Sequence, residues 1–592
     1  MSGLANDPHV GKAFGRGFPF FLTTAGWLSL VGAHAFRGIG DALVALAMGT
    51  LVPLGLALAV PLAHRGRGDE VTRRIVAFAG PLGIASFALA PGTAAALLAS
   101  AWLLATLAVG VAGLRRLARR GRSPLSELAI DVAYLYLPIG GAWLFASRAG
   151  LSPMGFREPI VIYTAAHFHF AGFAAPLLVG LLGRELHGGG APKPSASSRA
   201  HGLAAVVVMA GVPLVAAGIT LSRVLEGPSA VLLGAGMWIV ASLMIYVGFG
   251  RLLGQSGAAQ GTVARAARRL SGALLIVSGL SLVGSMLLAV AFAVTGSAGR
   301  GATEGLVPYA TMAMFHGVAN AVGFAGLGLL GFALARPKSL SPRFGGTFPK
   351  LFARGFVGPD FFERRGAVEA ERAVVGQLRS LNDFGHSTFD PTKVSDDVRA
   401  FYERTADYDL RASPEWHVPF GRAARIFSRF ARRFLGQLEL PTTTETEVIT
   451  TRLFGVRADT FGVPEARGYV RTYGTGAGAR ANYVAAYGTH SSVLRPHLTC
   501  AFPLPFCALV GVLRFEHGDV PGSIYLTSAA HPKLGIDDEG MFLHSRFGPV
   551  KLPIEERIDV WTADGELHAK HVVTVLGRPC VTIAYSLVSR AR

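Results

Sequence analysis

Cysteine is almost absent from this chain, with three residues in 592. Cys500, Cys507 and Cys580 form no CxxC pair, so the sequence indicates neither a disulfide framework nor a zinc site. Acidic residues are also scarce, at 37 against 56 lysines and arginines. The membrane-type segments contain no HExxH motif, no pair of catalytic carboxylates and no series of histidine boxes. The motifs therefore predict no catalytic residue and no metal site, and an enzyme is not expected.

Long apolar runs are the dominant feature of residues 1–337. A helix needs about 20 apolar residues to cross about 30 Å of hydrocarbon. Most of the runs reach that length, and the sequence predicts an α-helical transmembrane bundle of about ten spans. They cover residues 18–34, 42–63, 75–90, 93–114, 129–147, 159–183, 202–222, 228–249, 271–295 and 309–335.

The loops between these runs alternate between arginine-rich and arginine-poor. Loops 64–74, 115–128, 184–201 and 251–270 are the basic ones. Because basic loops next to spans stay in the cytoplasm, both termini are predicted to be cytoplasmic. The net charge of +19 then reflects membrane topology, and no nucleic-acid partner is expected.

The first apolar run allows a second interpretation. A basic lead with Lys12 and Arg16, a short apolar segment and the sequence Ala33-His34-Ala35 also fit a signal peptide with its cleavage site. Cleavage there leaves the other predicted spans and their orientations unchanged.

Two predicted spans carry polar residues that are costly in hydrocarbon. One contains "YTAAHFHFAGF" and the other "MFHGVANAVGF". Ionisable residues in spans usually face the bundle interior and mark a site or a pathway. The predicted orientation places them in the outer half of the bilayer, as a candidate ligand-binding cluster. Its residues are His167, His169, His316, Asn320, His34 and Tyr163. The alternative is that these side chains only join helices through hydrogen bonds.

Histidines two residues apart on a helix point about 200° apart, so His167 and His169 are not expected to bind one metal ion together. They are able to serve two different centres. The segment "AAHFHF" resembles the part of haem-copper oxidase subunit I in which two such histidines ligate two haems. No cofactor is predicted from the motifs, and haem is the alternative that this short resemblance leaves open. Asp131, near the cytoplasmic edge of its span, is interpreted as an interfacial residue, with a proton relay as the alternative.

The composition changes after the bundle. Residues 338–354 form a linker rich in proline, glycine and lysine, and residues 355–440 are predicted as a cytoplasmic helical segment. From 441 to 592 alternating apolar residues and turn signals predict an antiparallel β-barrel or sandwich, with a hairpin at Ala563-Asp564-Gly565. Such a barrel either holds one apolar ligand or is packed solid. Residues 502–506 and the histidines His544, His568 and His571 are the candidates to inspect.

The segment "FGRAARIFSRFARRF" predicts a basic amphipathic helix. At 100° per residue its phenylalanines, at 420, 427, 430 and 434, fall on one side. The other side carries Arg422, Arg425, Arg429, Arg432 and Arg433. A helix of this form lies in an anionic lipid surface, so membrane lipids are the predicted partner. The alternative is that the phenylalanines pack against the β-rich domain while the arginines face water.

Motifs in both halves resemble one family. The segments "TAAHFHFAGF", "HGVANAVGF", "DPTKVSDDVRAFYERTADYDL", "PLPF" and "LPIEERIDVW" are similar to those of YndJ-like bacterial multipass membrane proteins. The resemblance implies a polytopic inner-membrane protein, sometimes catalogued as a transporter, whose biochemical role is not settled. Outside the membrane it singles out Asp390, Phe401, Tyr402, Glu403 and Tyr408.

The sequence as a whole favours a membrane protein that binds or transports a small lipophilic molecule through the histidine cluster. The β-rich domain then regulates this activity or binds a ligand itself. Two alternatives stay open: a haem- or metal-binding protein in redox or sensing chemistry, and an assembly or envelope-stress protein without small-molecule chemistry.

Overall fold

The computed structural model describes residues 36, 38–60, 66–122, 124–188, 195–254, 262–297, 311–338, 348–439, 447–458, 465–473, 480–492, 495–531 and 538–589. The chain forms two units. The first comprises residues 1–117 and 122–341, and the second comprises 118–121 and 342–592. The predicted span 18–34 and the possible cleavage site at Ala33-His34-Ala35 lie outside the described residues.

Helices make up the first unit. In its described part they are α1 (Ile39–Ala59), α2 (Arg67–Ala85), α3 (Thr93–Arg120), α4 (Leu125–Ala149), α5 (Ile160–His187), α6 (Ala196–Leu221), α7 (Arg223–Leu253), α8 (Thr262–Ser297) and α9 (Met312–Leu334). Eight helices of the described chain are long and apolar enough to cross a membrane, and α2 is not among them. The prediction of a multispan helical bundle is confirmed.

Helix α2 corresponds to the predicted span 75–90 and is more polar than its neighbours. It begins with Arg67, Asp69 and Glu70 and exposes much of its surface. The C-terminal end of α2 is attached to the C-terminal end of α4, because Arg148 of α4 donates hydrogen bonds to the carbonyls of Ser86 (3.1 Å) and Leu89 (2.7 Å). Helix α2 therefore runs along the bundle even though its hydropathy is low.

Glycines allow the central helices to approach closely. A side chain at Gly113 would meet Tyr134 at 2.5 Å, and one at Gly141 would collide with the Thr106 hydroxyl. Small residues are the usual means of close contact where lipid provides no hydrophobic driving force between helices. Trp102 of α3 is fully buried in the resulting core.

Three of the helices contain π-helical segments. These are Ala47–Leu51 in α1, Phe168–Ala174 in α5, and both Met312–His316 and Ala319–Gly326 in α9. The segments Ala47–Leu51, Phe168–Ala174 and Ala319–Gly326 contact one another. Such segments are rare and occur frequently at functional sites. The region where these three segments meet is therefore a candidate position for a site.

The second unit is built on one antiparallel sheet. Its strands are β1 (Val368–Glu369), β2 (Tyr408–Trp416), β3 (Glu447–Val456), β4 (Arg467–Tyr473), β5 (Arg480–Ser491), β6 (Pro496–Leu504), β7 (Cys507–His517), β8 (Ile524–Thr527), β9 (Gly540–Ser545), β10 (Gly548–Lys551), β11 (Ile554–Ala563), β12 (Glu566–Val575) and β13 (Arg578–Ser589). Its short helices are α10 (Phe361–Arg364), α11 (Asp396–Glu403) and α12 (Phe420–Phe430).

The sheet closes into a barrel. The strand order is β10-β9-β7-β6-β5-β4-β3-β2-β13-β12-β11-β8, and β8 also pairs with β7. The ring therefore runs from β7 through β8 and back, while β9 and β10 extend the sheet beyond β7. The predicted hairpin is confirmed, with Asp564 and Gly565 at φ 52° and 76° between β11 and β12.

One barrel strand comes from the stretch that the sequence predicts as helical. Strand β2 pairs with β13 and β3, and Pro414 lies within it opposite Ile583. Proline has no N–H for the ladder and usually argues against a strand. This residue conceals β2 in the sequence, and residues 355–440 are partly barrel wall.

Apolar cores lie on both faces of the barrel wall. The inner core joins the strands to residues 378–402, with Phe384, Phe401 and Phe515 among its members. The outer core joins β3–β7 and β9 to residues 351–367, including Phe361 and Phe362. The segments before β2 thus cover the barrel from inside and outside.

Candidate functional site

A cavity of about 280 Å³ lies among helices α1, α5, α6, α7, α8 and α9. Most of its lining is apolar, with Leu, Val, Met and Phe side chains. Its polar lining residues are Tyr163, His167, Glu226, His316 and Asn320. Glu226 and Tyr163 lie near the loops that are predicted to face outwards. The cavity is thus at the end of the bundle where the sequence predicts a site.

His167 and His316 lie close together in this cavity. Their ring centroids are 6.4 Å apart and their planes differ by 26°. Nδ1 of His167 lies 2.8 Å from the carbonyl of Tyr163, and Nδ1 of His316 lies 3.0 Å from the carbonyl of Ser285. A carbonyl accepts only, so each Nδ1 carries the proton in the neutral ring. Both Nε2 atoms are then acceptors or ligands.

Asn320 fixes the His316 side of the site. Its Nδ2 donates to the carbonyl of His316 at 2.9 Å and lies 3.3 Å from Nε2 of that ring. Its Oδ1 accepts a 3.0 Å hydrogen bond from the hydroxyl of Ser285. Ser285 of α8 therefore positions both polar residues of α9.

His169 lies outside the cavity. Its Nδ1 donates to the carbonyl of Ala165 at 2.8 Å, and its Nε2 accepts a 2.9 Å hydrogen bond from the indole N–H of Trp102. The ring is buried against Gly140. Two residues along a helix reach different faces, so the structure does not bring His169 together with His167 and His316.

Of the other predicted site residues, Tyr163 and Asn320 line the cavity, and His34 lies outside the described residues. Glu226, in the short stretch between α6 and the apolar part of α7, was missed by the sequence analysis. An acidic residue directly before a predicted span was the available signal.

A second buried polar group lies at the opposite end of the bundle. Arg184 and Glu127 form a two-point ion pair, with Nε–Oε1 at 2.6 Å and Nη2–Oε2 at 2.9 Å. Arg116 contacts both Glu127 (3.1 Å) and Asp131 (2.8 Å). Two cations and two carboxylates balance one another, and neither carboxylate side chain is exposed. We refer to these four residues as the inner ion-pair network.

The inner ion-pair network changes the interpretation of residues that the sequence places near the membrane edge. Asp131 is fully buried, and Arg184 also donates to the carbonyls of Leu58 (3.2 Å) and Ala59 (2.9 Å). The network thus joins α1, α3, α4 and α5. The interpretation of Asp131 as an interfacial side chain is replaced by a buried ion pair.

Potential metal ligands are scattered through the part of the chain that the structure describes. Within the described ranges, no group of three or more His, Cys, Asp or Glu residues is placed to hold a metal ion. Cys500 is buried and Cys507 and Cys580 are partly exposed, all three as free thiols. The histidines flagged in the β-rich region are dispersed. His544 contacts Phe348 and Phe352, and His568 stacks on Trp561, whereas His571 is on the inner face of β12.

The basic amphipathic helix is α12, which continues into a π-helical turn at Ala431–Leu435. Its small residues Ala424, Ser428 and Ala431 are buried. Three of its phenylalanines are exposed by 42, 48 and 58%, at Phe427, Phe430 and Phe434. The five predicted surface arginines are exposed as well: Arg422, Arg425, Arg429, Arg432 and Arg433. Small residues, not the phenylalanines, therefore attach this helix to its unit.

The fold defines an integral membrane protein in which a polytopic helical bundle is followed by a closed β-barrel. Residues 42–324 match the family model described as YndJ-like protein. The resemblance to YndJ-like proteins that the sequence motifs indicate is thereby confirmed. The chain is also 26% identical to "Uncharacterized membrane protein YndJ" of Bacillus subtilis (strain 168) over 464 residues, which is 78% of each protein. No solved structure matches the chain.

Proposed function

We propose that this membrane protein binds, or transports, a small lipophilic molecule in the cavity between α5 and α9. The observation that carries the proposal is the pairing of His167 and His316 in a mainly apolar cavity, where Nε2 of His167 is an acceptor for a ligand. Ligand sites are typically apolar concavities with a few placed polar groups. The polar groups of this cavity suit a ligand with one hydroxyl or amide donor.

The π-helical segments support this proposal. His167 directly precedes the segment Phe168–Ala174, and His316 ends the segment Met312–His316. Interrupted helices at a central site are characteristic of transporters. Both histidines therefore lie where the regular α-helical hydrogen bonding is interrupted, as is frequent at functional sites.

Co-purification tests the proposal. Wild-type protein and the variants His167→Ala, His316→Ala and His187→Ala are extracted from identical membranes, and small molecules are identified by mass spectrometry. We expect an apolar compound in the wild type that is lost from the first two variants. His187→Ala is the matched control, because that histidine lies at the other end of α5 and outside the cavity. A compound profile that is the same in all four samples would contradict the proposal.

A second candidate function has one specific observation behind it. Metal-bound histidines usually donate their second ring N–H to a backbone carbonyl, and both His167 and His316 do so. A haem held by these two residues would give the protein redox or sensing chemistry. The visible spectrum of the purified protein decides: a Soret band lost in both variants supports haem, and a colourless wild type rejects it.

We also propose that α12 contacts the anionic lipid surface. Its exposed phenylalanines and arginines flank the buried small-residue face on opposite sides. This arrangement allows apolar insertion next to phosphate contact. The two termini are proposed to be cytoplasmic and the membrane to be the bacterial inner membrane, on the distribution of basic loops.

A further inference from the structure

The interior of the barrel contains a buried cation. In β4 the residues Tyr469 and Tyr473 belong to the inner core, so Arg471 between them also faces inwards. Arg471 is 7% exposed. An arginine is always protonated in proteins, and burying its charge is costly unless it is paired.

The partners of Arg471 are tyrosines. Its Nε donates to the hydroxyl of Tyr469 at 2.9 Å. Its guanidinium carbon lies 4.8, 5.0 and 5.8 Å from the ring centroids of Tyr469, Tyr483 and Tyr585. In the described part of the chain no aspartate or glutamate forms an ion pair with it. The positive charge is thus held by hydroxyls and aromatic faces without an anion.

Other polar atoms inside the barrel also lack partners among the described residues. The hydroxyls of Thr451 and Thr562 and Nε2 of His571 are buried, and none finds a hydrogen-bonding partner among the described residues. Thr451 is directly opposite Arg471 on β3, and Tyr483 is opposite it on β5. Unsatisfied buried groups in a native fold usually indicate bound water or a ligand.

Two side chains across the barrel from Arg471 are partly accessible. Glu556 and His571 lie 4.0 Å apart, and 20% and 19% of their side-chain surface is accessible. Both residues alternate with inner-core residues along their strands, so they face the barrel interior. Burial raises the pKa of Glu556 to about 7, and burial together with the charge of Arg471 lowers the pKa of His571 to about 4. At neutral pH His571 is therefore uncharged, and of the two basic side chains Arg471 alone carries a positive charge.

The ring has more strands than a side-chain-filled barrel needs. About eight strands give an interior that side chains just fill, and this ring runs through ten: β2–β8 and β11–β13. Residues 378–402 fill part of this interior, and the inner wall that is only partly buried includes the apolar residues Leu453, Phe502 and Val573. An interior of this kind offers one cation at one place and a hydrocarbon-like surface elsewhere.

We infer that the barrel binds a lipophilic monocarboxylate, whose carboxylate contacts Arg471 and the hydroxyl of Tyr469 and whose apolar part lies along the inner core. The planar guanidinium matches a carboxylate with two parallel hydrogen bonds. This inference is independent of the proposed intramembrane site, since it rests on the second unit alone.

Equilibrium dialysis of the full chain in nanodiscs tests the inference. Tritiated dodecanoate is the probe, dodecanol of the same chain length is the uncharged analogue, and empty nanodiscs correct for partition into lipid. We expect saturable dodecanoate binding that weakens about tenfold or more in Arg471→Met, while the melting temperature changes little. Dodecanol should bind more weakly and be insensitive to that change.

A control separates this site from the rest of the barrel. Arg452→Gln removes a half-exposed arginine on the outer face of β3 and should leave dodecanoate binding unchanged. If Arg471→Met does not fold, Tyr469→Phe is measured in its place, and its affinity for dodecanoate should be about threefold weaker. No dodecanoate binding by the wild type, equal binding of dodecanol, or unchanged binding in the folded variant would overturn the inference and leave Arg471 with a structural role.

Discussion

The indole N–H of Trp102 donates a 2.9 Å hydrogen bond to Nε2 of His169, while the other ring nitrogen of this histidine is bonded to Ala165. Both hydrogen-bonding positions of His169 are therefore used within the bundle. Among the described residues, His167, two residues earlier, has only Nδ1 engaged, and it faces the cavity. Different faces of the same helical turn thus carry a joining histidine and a candidate ligand-binding histidine.

The two histidines are expected to respond differently to removal. His169→Ala leaves the Trp102 N–H without an acceptor and should destabilise the protein by about 1–2 kcal/mol. His167→Ala removes a group exposed to the cavity and should change stability by less than about 0.5 kcal/mol. Thermal unfolding of both variants in the same detergent measures this difference. Equal losses would show that His167 also serves to join helices.

Glu127 is expected to be the most sensitive residue of the inner ion-pair network. Glu127→Gln leaves Arg184 without its carboxylate in a buried position, which typically costs about 3–5 kcal/mol. Glu70→Gln is the matched control, because Glu70 pairs with Arg74 on an exposed helix face and such pairs contribute little. The yield of folded protein and its melting temperature should fall only in the first variant. Similar values for both would argue that the network is not stabilising as a unit.

The second unit should lose stability in acid through Glu539. Burial alone raises the pKa of Glu539, but the hydrogen bond from His497 and the charges of Arg495 and Arg514 hold it at about 2. An unfolded glutamate has a pKa of about 4.3. Stability from this group is therefore complete above about pH 5 and is lost as the pH falls towards 2.

Hydrogen exchange of peptides from β6 and β7 measures this effect. The difference in protection between wild type and Glu539→Gln should be large at pH 6 and should shrink towards pH 3, by an amount on the order of 3 kcal/mol in full. A difference that stays constant over this range would assign the acid sensitivity to other groups.

Reporter fusions test the orientation. Fusions after residues 120 and 345 should report the cytoplasm, and fusions after residues 91 and 152 the outside. The fusion after 91 tests α2 in particular, because this helix runs along the bundle with low hydropathy. A cytoplasmic signal at 91 would show that α2 does not cross the membrane, and an external signal at 345 would reverse the predicted orientation.

Vesicle binding tests the surface role of α12. The fragment 342–592, once circular dichroism shows its β-structure, should bind vesicles that contain anionic lipid. Replacing Arg425, Arg429 and Arg432 with Gln should weaken binding by roughly 1 kcal/mol per residue. Arg411→Gln, on an exposed position of β2, should have a smaller effect. Equal binding to neutral vesicles would favour apolar contact by the phenylalanines alone.

Local signals account for what was predictable from the sequence. Hydropathy locates the spans, and the helical repeat alone separates His167 from His169. Alternation and the Asp564-Gly565 turn predict the β-rich unit, since each depends only on neighbouring residues. The pairing of His167 with His316 required the additional assumption that α5 and α9 are neighbours.

Tertiary contacts account for what was missed. Arg184 and Glu127 are 57 residues apart, and nothing near either residue indicates that they meet. In the sequence, Arg471 occupies an ordinary polar position of an alternating strand. Its burial follows only from ring closure, which turns that face of β4 inwards. Strand β2 was missed because Pro414 is atypical of strands.

The extension of the barrel ends in strand β10, only four residues long, with Pro549 and Lys551 on it. A closed ring offers no free strand to a neighbouring molecule, and a short last strand with proline and lysine discourages pairing there. Copies of this protein confined to the same membrane at high local concentration are thereby protected from intermolecular β-aggregation.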